Sequence, residues 1–264
     1  MKSILFLSVI LFFGLFNKEP KAIRVPLEFS HEFPIMNVEI EGKTHALILD
    51  LGSSCEFALK REVLEGISKK ERLGTHTSMG LEGQKHTAPK YLLQRIRIQN
   101  GEIIHTTAEE DNDMAQDGIS GRVGRNTLQT CNLLLDFSNS TLFILKNFDD
   151  LKTENYSIRD FQEIPFTFTR WGAVFTVETD FGIKRFFINT SAPFSGIRNS
   201  QENQKITTSK FKIGEVDLGN MSLDTVNISP SLNDIDGYLG VDFFKRNIIF
   251  LDFQKSKAFI HPLP

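Results

Sequence analysis

The feature that most constrains this chain is that it repeats itself. Displaced by 139 residues, Val25-Pro26-Leu27 falls on Ile164-Pro165-Phe166, Phe29 on Phe168, Val38-Glu39 on Val177-Glu178 and Leu47-Ile48-Leu49 on Phe186-Phe187-Ile188, without a gap. Further on the displacement becomes 116, so that Gly121 and Gly124 fall on Gly237 and Gly240, Leu135-Asp136-Phe137 on Leu251-Asp252-Phe253 and Phe143-Ile144 on Phe259-Ile260. Self-similarity of this kind means two copies of one structural unit. The copies run over 25–147 and 160–264, and the second lacks 23 residues in its middle.

Each copy reads as β-structure. Short apolar or alternating runs bounded by turn residues predict strands at Val25–Phe29, Ile35–Ile40, His45–Leu49, Tyr91–Ile98, Ile103–Thr107, Leu133–Phe137 and Thr141–Leu145. Short helices are expected at Lys60–Leu64 and around Leu128. The fold class is therefore all-β, in two pseudo-symmetric lobes. The residues present only in the first copy lie within Lys60–Pro89, where Gly80 and Gly83 form the tip of a hairpin spanning Thr75–Thr87. One lobe thus carries a flap, with Met79, Gly80, Leu81 and Gly83 at its end, and the other does not.

In the first copy the apolar run Leu47-Ile48-Leu49 ends in Asp50, followed by Leu51-Gly52-Ser53-Ser54: a buried strand that stops at a tight turn bearing a carboxylate. A strand-end Asp often bonds only its own turn. The second copy has Asn189-Thr190-Ser191-Ala192 at the same place.

Little else in the sequence points to chemistry. The net charge of -3, with Lys and Arg scattered among acids, argues against a nucleic-acid surface. The six histidines (His31, His45, His76, His86, His105, His261) show no ligand spacing, so neither metal nor cofactor is expected. Glu109, Glu110, Asp111 and Asp113 read as a solvated acidic loop, and Asp136 and Asp252 as hairpin-forming acids. Residues 1–22 combine Lys2, an apolar run from Ile4 to Phe16 and a polar stretch, which is the pattern of an export signal and too short for a membrane-spanning helix. Export to a periplasmic or extracellular space is expected, with an N-terminal anchor if the signal is not cleaved. Cys55 and Cys131 are compatible with one disulfide or with two buried thiols.

Leu49-Asp50-Leu51-Gly52-Ser53-Ser54 resembles the Asp-Thr-Gly-Ser-Ser loop of pepsin-like and retroviral-type aspartic peptidases. Val123-Gly124-Arg125-Asn126 resembles the hydrophobic-Gly-Arg-Asn segment of the retroviral type, and Tyr238-Leu239-Gly240-Val241-Asp242 with Leu251-Asp252-Phe253 its counterpart in the second lobe. The resemblance implies two acid-protease-like β-barrel lobes, an extended peptide or protein segment bound in the cleft between them, and a pair of catalytic aspartates sharing a proton. Gly52, Ser53, Thr190 and Ser191 would support the two loops. The departures matter as much. Leu51 stands where a hydroxyl residue would bond across to the other lobe, Ser191 stands where a glycine is expected, and Asn189 replaces the second aspartate with an amide that cannot carry the shared proton but can donate a hydrogen bond to Asp50. Losing one member of an acid–base pair typically costs about 100- to 10,000-fold in rate. The expectation is a peptide-binding protein of this type with proteolysis lost or strongly reduced. The alternatives are an endopeptidase that brings two Asp50 together in a homodimer, and a structural or interaction module in which Asp50 does no chemistry.

Overall fold

The computed structural model describes residues 22–111, 116–199 and 204–264. Nearly all of the stretch read as an export signal, and Asp113 of the acidic run, lie outside the described residues.

Three sheets carry the fold. The central one has six strands in the order Ala22–Pro26, Thr141–Leu145, Asn132–Asp136, Asn247–Asp252, Lys257–Pro262 and Gln162–Pro165, so each copy contributes one half. The halves join where Leu134 sits opposite Phe250. Pro26 and Pro165, repeat mates, end the two edge strands of this sheet, where the missing proline N–H breaks no ladder.

Here the structure divides a predicted element. Val25–Phe29 is two strands: Ala22–Pro26 belongs to the central sheet and Glu28–Ser30 to the sheet of the first lobe. Between them the Leu27 amide donates to the Ser140 carbonyl, 2.8 Å away. Gln162–Pro165 and Thr167–Thr169 repeat the same change of sheet in the second copy.

Each lobe then folds around its own sheet, of eight strands in the first and nine in the second. The register follows the duplication closely. Leu47 lies opposite Gly121 in a parallel pair, and its mate Phe186 lies opposite Gly237 in another. Both glycines are required by crowding: a Cβ on Gly121 would stand 2.1 Å from the Ala58 carbonyl oxygen, and one on Gly237 2.2 Å from that of Gly196. The strands Phe57–Leu59 and Gly196–Arg198 press against them there, and sequence patterning picked out neither strand. Below this layer Leu47, Leu49, Phe57, Val123, Phe186, Leu239 and Phe243 are buried in one core that is continuous through both lobes. Each such side chain contributes roughly 1.5–3 kcal/mol. Helices Arg61–Gly66 and Arg125–Leu128 lie within a residue or two of their expected places, and Val241–Arg246 repeats the second of them after Gly240.

The flap is an antiparallel hairpin of Lys70–Met79 and Lys85–Ile98. Its tip is closed by the Gly80 amide on the Gln84 carbonyl at 2.9 Å and the Gly83 amide on the Gly80 carbonyl at 3.0 Å.

Candidate functional site

Strands Lys43–Asp50 and Gly182–Ile188 end facing one another, and their turns meet. Asp50 is 3% exposed. Its Oδ1 accepts the amides of Gly52 and Ser53, each at 3.1 Å, so the local Asx-type role foreseen for a strand-end Asp is present. Its Oδ2 pairs with Arg122 Nη1 at 3.3 Å, and Arg122 Nε pairs in turn with Asp111 Oδ2 at 2.8 Å. Burial works against the charge on Arg122, but the two carboxylates outweigh it and its pKa is raised.

The turns are tied together by one side chain. Thr190 Oγ1 accepts the Leu51 amide at 2.9 Å and donates to the Leu49 carbonyl at 2.6 Å, fully buried. Leu51 and Thr190 are themselves repeat mates, 139 residues apart. In a symmetric site each would perform this service for the other. With leucine at 51 only one half of the exchange remains, so the loss of positioning foreseen from Leu51 is partial.

Asn189 sits beside the acid without bonding to it. A Cβ on Gly52 would lie 2.8 Å from Asn189 Oδ1 and 3.2 Å from Asp50 Oδ1, so both side chains border one point. Asn189 Oδ1 instead accepts the Ser191 hydroxyl at 2.8 Å. Among the described residues no hydrogen bond joins Asn189 to Asp50, although the amide is able to donate one. Ser191, at the position of the expected glycine, has captured the amide locally.

Above the turns lies a cleft of about 690 Å³, walled by Gly52 and Ser53, by His76 to Gly80 and Lys85 to Ala88 of the flap, and by Arg170, Trp171 and Leu232 of the second lobe. Glu109, Glu110 and Asp111 line it too, which overturns their reading as a solvated loop. The strand Gly101–Glu110 runs three residues beyond the predicted end and carries Glu109 and Glu110 inward, with Asp111 directly after it. Glu110 is bound by Arg61 Nη2 at 2.7 Å, while Glu109 Oε1 lies 2.8 Å from His76 Nδ1 without the alignment of a hydrogen bond. Arg125, from the segment resembling the retroviral type, is buried and acts as a strut: its Nη1 donates to the Gly52 carbonyl at 2.8 Å and its Nη2 to the Arg170 carbonyl. Burial lowers its pKa.

Arg122 and the three acids were not legible as site residues. One signal existed in the repeat, where Arg122 has Tyr238 as its mate: a cation at one strand position and an aromatic at the other. Both cysteines are free thiols, and burial pushes that of Cys55 up to about 12, against the partial relief of the Ser53 hydroxyl. Among the described residues no group of His, Cys, Asp and Glu is placed to hold a metal ion, and no helix is long and apolar enough to cross a membrane.

This architecture is the two-lobed fold of aspartic peptidases. An aspartic proteinase from Irpex lacteus superposes with a TM-score of 0.64 at 12% identity, over 92% of this chain and 97% of the other. Conglutin gamma, a basic 7S globulin from lupine seeds, superposes with a TM-score of 0.65 at 10% identity, over 92% and 95% of the two chains. The basic 7S globulin from soybean gives 0.61 at 10%, over 91% and 94%. The same fold thus houses a proteinase and seed globulins. No protein-family model and no curated protein matches the sequence.

Proposed function

We propose that this is an exported protein that holds an extended peptide or protein segment in the cleft beneath the flap, with proteolysis lost or strongly reduced. The observation that carries the reading is the state of Asp50. Its carboxylate is bound to Arg122, and an amide stands where the second acid should be. A shared-proton pair needs two carboxyl groups close together and free to exchange one proton. Here the neighbour of Asp50 is the cation Arg122, and the place of the second acid is held by an amide that cannot protonate a substrate carbonyl. The cleft supports the binding half of the reading, since polar side chains on both walls, among them Ser53, Thr77 and Arg170, suit an extended chain.

The homodimeric endopeptidase is disfavoured by the fold. For two first lobes to meet through their Asp50 turns, each would have to give up Thr190 and the central sheet shared with its own second lobe. The interaction-module reading differs only in whether the cleft is used.

The test is a peptide library presented from acid to neutral pH, with cleavage and retention both measured. Retention without cleavage is expected. Cleavage abolished by Asp50→Ala would overturn the proposal. The triple variant Asn189→Asp, Arg122→Leu, Leu51→Thr restores both acids and the missing hydroxyl, and is expected to cleave at acid pH at least about 100-fold above the parent.

A further inference from the structure

We infer that the peptide-binding cleft proposed above selects segments carrying a lysine or arginine side chain, whose cation is received by Glu109; this selectivity rests on that binding. The first lobe brings four carboxylates to the cleft and its floor, Asp50, Glu109, Glu110 and Asp111, and meets them with two arginines. Arg61 takes Glu110, and Arg122 is shared by Asp50 and Asp111. The other arginines of the cleft are spent elsewhere: Arg125 on the carbonyls of Gly52 and Arg170, and Arg170 on Asp234. Glu109 is left with His76, whose Nδ1 stands 2.8 Å from its Oε1 without completing a hydrogen bond. Lys90, opposite Glu109 in the strand pairing, and Lys85, at the flap end of the cleft, make no ion pair among the described residues. Glu109 also keeps more of its side chain exposed than the other three acids, 13% against 4 to 8%. A carboxylate this deep is costly to leave without a partner. The cleft is the side from which one can come.

The second lobe shows that the fold does not ask for an acid here. Ala58 lies opposite Glu109 in a parallel strand pair, and their repeat mates Ile197 and Thr225 lie opposite each other in the same way. In that lobe the place is filled. Both side chains are buried, and the Thr225 hydroxyl closes on its own chain, accepting the Gln204 amide at 2.9 Å and donating to the Gln204 carbonyl at 3.1 Å. The first lobe has a methyl where the second has isoleucine, and a carboxylate where it has threonine. Ala88, opposite His76 on the flap, is equally small. Ala58, Ala88 and Glu109 all line the cleft, so the acid stands behind open space.

The ligand that suits such a place is a cation on a long apolar stem. The stem can lie along the two alanines while the ammonium or guanidinium makes charge-assisted hydrogen bonds to the carboxylate. A glutamate or aspartate in the ligand would face Glu109 across a short distance and be repelled. A metal ion is a poor match, since among the described residues no group of His, Cys, Asp and Glu is placed to hold one.

The test uses peptides of one length and one neutral sequence, with a single Lys, Leu or Glu placed at each position in turn, and measures binding by fluorescence anisotropy. In the best register the Lys peptide is expected to bind the parent at least about tenfold more tightly than its Leu counterpart. Glu109→Gln keeps the shape of the side chain and removes its charge, so the preference should fall within about threefold while Leu peptides bind both proteins alike. Ala58→Ile keeps the charge and closes the space as the second lobe does, and should lose the preference as well. A parent that binds Lys and Leu peptides equally, or a preference that survives in either variant, would overturn the role of Glu109 and leave peptide binding standing. If the parent retains no peptide at all, the binding reading itself fails and the selectivity falls with it.

Discussion

Asp50 and Asn189 occupy the same place in the two copies, and their surroundings diverge position by position. The first turn has Asp-Leu-Gly with Arg122 on the neighbouring strand; the second has Asn-Thr-Ser with Tyr238. The first has the acid without a hydroxyl, and the second has a hydroxyl without the acid. Burial explains the hydroxyl. The Leu51 amide and Leu49 carbonyl are shut away from water and need a partner, and Thr190 supplies one to both. A second carboxylate is required by catalysis but not by packing, so an amide fits its place without opening the core.

The hairpins of the two copies differ in the same spirit. Asp136 accepts the Ser138 hydroxyl at 2.6 Å, the Asn139 side-chain amide at 2.8 Å and the Tyr156 hydroxyl at 2.6 Å. Its mate Asp252 has the Lys255 amide at 2.9 Å and the Lys255 ammonium at 3.2 Å. Both keep the hairpin role expected of them, and the first is the more firmly tied.

The widest contrast to break is the one between Arg122 and Tyr238. Arg122→Leu takes the shared arginine from two nearly buried carboxylates, Asp50 and Asp111, and should cost about 3 to 5 kcal/mol in urea unfolding. Tyr238→Phe should change stability by less than about 0.5 kcal/mol. Equal costs would show that the charge on Asp50 is not the difference between the lobes.

Next comes the surviving tie. Thr190→Val strands a buried amide and should destabilise by about 2 to 3 kcal/mol. Since Thr190 spans the turns, lobe separation followed by small-angle scattering or hydrogen exchange should rise with it.

The first hairpin acid should show itself along pH. Burial pushes the Asp136 carboxyl upward, but the bonds from Asn139, Ser138 and Tyr156 outweigh it and its folded pKa is lowered. A depressed acid stabilises above its unfolded value, about 3.9, and that share is lost as pH falls through the folded value. Asp136→Asn should therefore remove about 1 to 2 kcal/mol at neutral pH and flatten the stability profile below about pH 4. A profile for Asp136→Asn that matches the parent's would contradict the role of these bonds.

The smallest effect sharpens the turn comparison. Leu51→Thr re-creates the missing half of the exchange, and a double-mutant cycle with Thr190→Val should show coupling of about 1 kcal/mol or less. A larger value would mean that the turns were already poised for a symmetric bond.

Much of the architecture was legible because a duplication is a property of the chain itself. The 139- and 116-residue displacements reappear as sheet register, in Leu47 against Gly121 and Phe186 against Gly237. Strands with clear alternation were readable, whereas Phe57–Leu59 is a three-residue element wedged against a glycine, too short to show any period. The acids at 109–111 were misread because polarity signals a loop, while here strand extension and arginine partners carry polar side chains inward.

By itself the sequence determined the two-copy plan, the β-class, the flap in one copy, and the exchange of an aspartate for an amide at the second turn. Only the tertiary structure decided what stands next to Asp50. Arg122 is 72 residues from it and Thr190 lies across the lobes. Which side chains meet at such separations is set by strand pairing, and a slip of a single residue would turn every one of them to the opposite face. That dependence on register is why the turn reads as half of a peptidase site in the chain and as a carboxylate held by an arginine in the fold.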